Sequence, residues 1–134
     1  MDIIDLAIGL ERRVETKVTG ADTADIYGSG SVKVLATPRV AALMEEAAVA
    51  AVDMHLPTGY VTVGTMINIE HLRATPIGMK ISASAVLEEI DGGRLVFAVE
   101  ASDERELIAK GRHERRVVEM KSFTERCQAK LDNR

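Results

Sequence analysis

Three polar residues of this chain have the side-chain types needed for group-transfer chemistry. Thr37 stands at the start of a predicted helix, Glu45 lies eight residues further among small apolar residues, and His71 ends a strand face that is otherwise apolar. A helix N-terminus offers N–H donors and a positive dipole end to an oxyanion. A hydroxyl, a carboxylate and an imidazole together contain the parts of an acyl-transfer site.

Each of the three residues also has a purely structural interpretation. Thr37 is a good helix N-cap, which is compatible with a catalytic role. Glu45 suits an interface salt bridge, because a carboxylate among apolar neighbours must find a partner. His71 suits a core histidine satisfied by a backbone carbonyl. Spacing alone does not bring the three side chains together, so both interpretations stay open at this point.

Length and composition predict one folded domain spanning residues 1–134. The chain has 134 residues, of which 46% are hydrophobic and 28% charged, as in ordinary soluble domains. The net charge of −4, the dispersed basic residues and the 3% of aromatics disfavour nucleic acid as a partner. The histidines are far apart and no CxxC or HExxH pattern occurs, so we expect no metal site.

Sequence features also favour a cytoplasmic protein. Cys127 is the only cysteine, and Asp2 and Asp5 stand where a signal peptide needs positive charge. No apolar run approaches the roughly 18 residues of a membrane span, so we expect no membrane association.

The clearest predicted element is a helix from Arg39 to about His55, with Thr37 as its N-cap and Pro38 at its first position. One apolar face is expected to contain Val40, Leu43, Met44, Ala47, Ala51 and Met54. A second, solvated row contains Arg39, Glu46 and Asp53. The helix is therefore expected to lie largely buried in the domain.

The remaining pattern is mostly that of strands. Residues 9–20 suit an edge strand or a lead-in segment. The polar segment 21–31 suits a mobile loop, which could act as a flap over a site, and it leads into a short strand, Val32–Leu35. Within the domain, residues 1–30 are thus assigned to an N-terminal strand and flexible loop, and residues 121–134 to a short helix and tail. Four further runs predict an antiparallel meander: Tyr60–Arg73, Met79–Ile90, Arg94–Ala101 and Glu106–Met120.

These elements predict an α+β domain in which a sheet of about five antiparallel strands wraps one long helix, a hotdog-like arrangement. The first long strand is expected to place Val61, Val63, Thr65, Ile67, Ile69 and His71 on one face. Gly64 interrupts this strand, which indicates a bulge, a close approach by a ligand or a packing requirement.

The HERR segment at residues 113–116 alternates between two strand faces. It suits a solvated charged face. Alternatively, some of the arginines meet phosphates of a nucleotide-bearing substrate: Arg73, Arg112, Arg115 and Arg116.

Four segments, VLATPRVAALMEEAA, TVGTMINIEHLRATPIGM, GRLVFAVEA and GRHERRVV, resemble the hotdog-fold thioesterases similar to fluoroacetyl-CoA thioesterase. The resemblance covers roughly Val32 to Phe123 in order. It implies that Thr37, Glu45 and His71 form the catalytic group, that Gly64 lines the acyl pocket, and that Arg115 contacts substrate or shapes the pocket. Because the stretch 27–31 is rich in glycine and serine with one aromatic residue, a preference for a fluorinated acyl group is not carried over.

The resemblance further implies a homodimer, or a dimer of dimers, in which Thr37 and Glu45 meet His71 across the subunit interface. The expected activity is hydrolysis of a short- or medium-chain acyl-CoA to carboxylate and free CoA. The alternatives are a non-catalytic module that binds acyl-CoA or a small lipid, and a hotdog enoyl-CoA hydratase or dehydratase. No cofactor is implied, since CoA belongs to the substrate.

Overall fold

The computed structural model describes residues 5–132 and has the predicted α+β architecture. Its strands are β1 (Glu11–Lys17), β2 (Tyr60–His71), β3 (Lys80–Asp91), β4 (Arg94–Ser102) and β5 (Leu107–Glu119). Its helices are α1 (Ala24–Tyr27), α2 (Thr37–Val52), the 3₁₀ turn Asp53–His55 that continues α2, and α3 (Met120–Asp132). The predictions for residues 1–4 and 133–134, including the charge at Asp2, lie outside the described residues.

The five strands form one antiparallel sheet in the order β1-β3-β4-β5-β2. The predicted meander is correct for β3, β4 and β5 but wrong for β2, which pairs with β5 instead of β3. The reason is the connection after β2, which passes the start of α2: Leu35 N donates to Thr75 O at 2.9 Å, and Val34 bridges Pro76. Strands β1 and β2 therefore form the two edges of the sheet.

Helix α2 packs against the sheet through its apolar face. Its buried residues are Val40, Leu43, Met44, Ala47, Ala48, Ala51 and Val52. The prediction that Met54 joins this face is wrong, because its side chain is 73% exposed. The α-helix ends at Val52, and the tighter 3₁₀ turn that follows rotates each residue further about the axis. The same turn places Asp53 close to β2.

Strand β2 contains a bulge at Thr65, since Gly64 pairs with Arg115 and Met66 with Glu114. The extra residue reverses the alternation of faces. The prediction of a single face from Val61 to His71 is therefore wrong. Residues 62 and 64 share the helix-facing side with residues 67, 69 and 71, opposite the odd-numbered positions of β5. The irregularity that Gly64 indicated is confirmed.

The segment before α2 also differs from its prediction. Instead of a strand at Val32–Leu35, the chain makes two isolated bridges, Thr23 to Leu35 and Val34 to Pro76. Edge strand β1, the hairpin turn at Asp91 and the C-terminal helix are as predicted. Between residues 5 and 132, no helix is long and apolar enough to cross a membrane.

Candidate active site

The N-terminus of α2 and the C-terminal end of β2 bring Thr37 and His71 together. The Thr37 hydroxyl lies 2.7 Å from Nδ1 of His71. The helix begins at Thr37 itself and its N-cap is Ala36, so the prediction of Thr37 as the N-cap is wrong. Because this hydroxyl makes no capping hydrogen bond, it is available to the imidazole. Both residues belong to the same chain, so the expectation that Thr37 meets His71 across a subunit interface is also wrong.

The environment of His71 favours a neutral ring. Burial lowers the pKa of His71 below its usual 6.5, and a hydrogen bond with the backbone of Arg73 partly opposes this shift. Nε2 of the ring is buried and has no hydrogen-bond partner among residues 5–132. A neutral imidazole in contact with a hydroxyl is equipped to accept a proton from it or from a water molecule.

A cavity of about 220 Å³ adjoins this pair of side chains. One wall is formed by the last residue of β2 and by residues 72–74, and the other by Ala24 and Ser29 from the glycine-rich segment. The segment 21–31, predicted as a mobile loop, contains helix α1 and contributes to the wall of this cavity. Thr37 and His71 both line this cavity.

Glu45 occupies a different part of the chain. It lies about 12 Å along the helix axis from Thr37, because each helical residue adds about 1.5 Å. Its Oε2 is 3.6 Å from Nη1 of Arg115, and its side chain is 42% exposed. The structure therefore brings Thr37 and His71 together but places Glu45 of the same chain beside Arg115.

Gly64 lies directly against this second group. A Cβ atom at Gly64 would stand 2.8 Å from Oε2 of Glu45, 3.3 Å from Nη1 of Arg115 and 3.4 Å from Cε1 of His113. Contacts this short are sterically unfavourable, so any residue larger than glycine at position 64 would displace the Glu45 carboxylate. Of the reasons that the sequence suggested for Gly64, the structure shows the bulge and a close packing contact with Glu45.

The interpretation of the HERR segment as a solvated face is wrong for two of its members. His113 and Arg115 are 1% and 6% exposed, whereas Glu114 and Arg116 point to the other face. Arg115 donates from Nε to Thr62 Oγ1 at 2.8 Å and from Nη2 to Thr62 O at 3.0 Å. Arg115 is therefore a buried cation held in place by Thr62.

Two further residues complete this buried group. His113 Nδ1 donates to Met66 O at 2.8 Å, and burial lowers the pKa of His113. Asp53 accepts the Thr62 hydroxyl at 2.6 Å and the Thr62 N–H at 3.2 Å, so its placement in a solvated row is wrong. The sequence signal for this group was the alternation in β5, where residues 113 and 115 share a face with small or apolar Ala109, Gly111 and Val117.

The remaining arginines differ in position. Arg73 adjoins the cavity and pairs with Glu106 at 3.4 Å, whereas Arg112 and Arg116 are exposed on the sheet. In the described part of the chain, no group of three or more metal-ligating side chains is arranged to hold an ion.

Solved structures with the same architecture define the class as the hotdog fold. A hot-dog-like protein from Thermanaerovibrio acidaminovorans is 26% identical with a TM-score of 0.86, and the alignment covers 93% of each chain. A thioesterase superfamily member from Thermus thermophilus is 27% identical with a TM-score of 0.86, covering 96% of this chain and 97% of the other.

Sequence comparison then identifies the family within this class. The family described as fluoroacetyl-CoA-specific thioesterase matches residues 18–121, and the chain belongs to this family. The fluoroacetyl-CoA thioesterase of Streptantibioticus cattleyicolor is 36% identical over 98 residues, which are 73% of this chain and 70% of that protein. A solved fluoroacetyl-CoA thioesterase has a TM-score of 0.88 at 30% identity, covering 93% and 97% of the two chains.

Proposed function

We propose that this protein hydrolyses a short- or medium-chain acyl-CoA to a carboxylate and free CoA, and that Thr37, Glu45 and His71 carry the reaction. Membership of the thioesterase family supports the reaction class. One solved relative, 29% identical with a TM-score of 0.88, is a complex with acetyl-CoA, which supports an acyl-CoA substrate. The observation that carries the proposal is the 2.7 Å contact between Thr37 and His71 beside a cavity.

In the proposed chemistry, each of the three side chains takes part in the reaction. The Thr37 hydroxyl and the positive end of the α2 dipole orient the thioester carbonyl and stabilise its developing negative charge. The Glu45 carboxylate activates water or attacks the carbonyl itself, and neutral His71 transfers the proton. The C–S bond breaks as the carbonyl re-forms, and the departing CoA thiolate takes up a proton. Water supplies the second oxygen of the product carboxylate, either by direct attack or by hydrolysing the acyl anhydride formed when Glu45 attacks, which regenerates Glu45.

The proposal includes a cytoplasmic homodimer in which Glu45 of one chain reaches the cavity of the other. Supporting it, Thr37 and His71 already meet within one chain, whereas Glu45 lies about 12 Å along the helix. Strand β2, which carries His71, is 12 residues long and forms one edge of the sheet, so it has backbone groups free to face a second chain. The exposed, unpaired Cys127 suits a reducing compartment.

The test is thiol release, followed with a colorimetric thiol reagent, over acyl-CoAs from acetyl to long chain with fluoroacetyl-CoA included. We expect Glu45→Gln and His71→Ala each to lower kcat by roughly a hundredfold or more, as is typical of general acid–base groups. Glu46→Gln is the matched control, because it removes an exposed carboxylate from the neighbouring helix position. Saturable acyl-CoA binding without cleavage by the wild-type protein would contradict the proposal.

A further inference from the structure

A chain of hydrogen bonds with a fixed direction runs from the end of α2 to Arg115. Both carboxylate oxygens of Asp53 are acceptors, one for the Thr62 hydroxyl at 2.6 Å and one for the Thr62 N–H at 3.2 Å. The single hydroxyl proton of Thr62 is thus committed to Asp53. The lone pairs of that hydroxyl are therefore free to accept a hydrogen bond from Nε of Arg115 at 2.8 Å.

The opposite side of Arg115 is fixed by a histidine of defined tautomer. A carbonyl oxygen only accepts, so the contact of His113 Nδ1 with Met66 O at 2.8 Å places the ring proton on Nδ1. Nε2 is then an acceptor, and it accepts a hydrogen bond from Nη1 of Arg115 at 3.2 Å. Burial lowers the pKa of Arg115 and the charges of Asp53 and Glu45 oppose this shift.

These bonds hold the guanidinium close to Glu45 without a hydrogen bond to it. The separation of 3.6 Å between Arg115 Nη1 and Glu45 Oε2 exceeds the 2.7–3.2 Å range of N–H···O hydrogen bonds. We propose that Asp53 and Thr62 are positioning residues that hold Arg115 away from a direct bond with Glu45, leaving that carboxylate free to react. This inference rests on the proposed function, because it assigns Glu45 the reactive carboxylate.

Asp53 is suited to this role because two acceptor atoms are required. Asparagine offers one acceptor and one donor, so it would oppose either the hydroxyl or the N–H of Thr62. In Asp53→Asn the buried guanidinium loses one of the two carboxylate charges that favour its charged form, and Glu45 supplies the other. The other groups facing Glu45 are Arg115 and neutral His113 from β5, while Glu46 on its own helix is exposed. Arg115 and Glu45 are therefore expected to pair more tightly in the variant.

The first experiment measures kcat and KM of acyl-CoA hydrolysis by Asp53→Asn, with Glu46→Gln as the matched loss of one carboxylate. We expect kcat to fall about tenfold or more with KM little changed, since a displacement near 1 Å can cost up to about a hundredfold. A kcat equal to that of wild type, or a loss that appears only in KM, would overturn the proposal.

The second experiment asks whether Thr62 acts through its hydroxyl or only through packing. It also tests the proposal if Asp53→Asn does not fold. Thr62→Val keeps the side-chain shape but removes the hydroxyl, whereas Thr62→Ser keeps the hydroxyl. We expect Thr62→Val to lose about tenfold or more in kcat and Thr62→Ser to stay near wild type. Equal kcat values for the two variants would contradict the inference. Absence of thiol release by the wild-type protein is a different outcome, which contradicts the proposed function itself.

Discussion

Thr37 has two competing uses for its hydroxyl, capping α2 or contacting His71, and the structure shows the second. We therefore expect Thr37→Val to lower kcat by roughly a hundredfold, as removal of one transition-state donor does, while Thr37→Ser retains activity. Loss of a true N-cap costs about 1 kcal/mol, whereas Thr37→Val is expected to leave the unfolding free energy nearly unchanged. Steady-state thiol release and urea unfolding measure the two quantities. A stability loss of cap size with full activity would contradict this assignment.

Half-buried His71 and buried His113 predict how stability depends on pH. Burial lowers the pKa of both His71 and His113 below 6.5. Their neutral forms are favoured by folding, so this contribution is complete above about pH 6.5 and is lost as the pH falls toward the folded-state values. We expect a lower unfolding free energy at pH 5.5 than at pH 7.5, measured by urea denaturation.

The control for this pH dependence is His71→Asn, which removes one of the two titrating rings. The difference in unfolding free energy between pH 7.5 and 5.5 should shrink in this variant. The lowered pKa values of Asp22 and Asp103 concern a range below about pH 4, outside the window compared. A difference unchanged from wild type would show that His71 does not contribute.

The elements themselves were largely predictable because their signals are local. Alternating apolar residues predicted β4, the Asp91 turn predicted the β3–β4 hairpin, and Pro38 predicted the start of α2 within a residue or two. The strand order was not predictable, because the crossing of the 72–79 connection past the start of α2 depends on contacts distant in sequence. The inward faces of His113 and Arg115 were also missed, since their burial depends on Asp53 and Thr62 from two other elements.

The meeting of α2 and β2 at Gly64 predicts a selective loss of activity. In Gly64→Ala the new Cβ would stand 2.8 Å from Oε2 of Glu45, which is the end of a flexible side chain and moves at little cost. We therefore expect a folded protein in which the carboxylate is displaced and kcat falls about tenfold to a hundredfold. Thiol release and thermal unfolding measure the two effects.

Gly93→Ala is the matched control for this glycine substitution. A Cβ at Gly93 would have its nearest neighbour at 3.7 Å, an ordinary van der Waals distance, and Gly93 lies away from Glu45. This variant is expected to keep wild-type kcat. Wild-type activity in Gly64→Ala, or an equal loss in both variants, would show that the close approach of Glu45 to Gly64 has no role in the reaction.

At the scale of the whole molecule, the three proposed catalytic side chains fall into two groups. Thr37 and His71 adjoin the cavity, while Glu45 lies with Arg115 and Gly64. The sequence resemblance predicted a site shared between subunits, with Thr37 and His71 in different chains. In the structure these two residues meet within one chain. If a dimer completes the site, each cavity takes its hydroxyl and imidazole from one chain and its carboxylate from the other. Sedimentation equilibrium on the wild-type protein tests the dimer directly.

A mixture of two inactive variants tests the shared site. In a heterodimer of Glu45→Gln and His71→Ala chains, one site receives His71 from the first chain and Glu45 from the second, and the other site lacks both. Random reassortment makes about half of the dimers heterodimers, each with one intact site of two, so about a quarter of wild-type activity should return. The mixture is unfolded together, refolded and assayed for thiol release, with each variant refolded alone as the control. A mixture no more active than its separate components would place the whole reaction within one chain. Glu45 would then have to move along α2 to reach His71 of its own chain, and the packing of buried Leu43 and Met44 opposes such a movement.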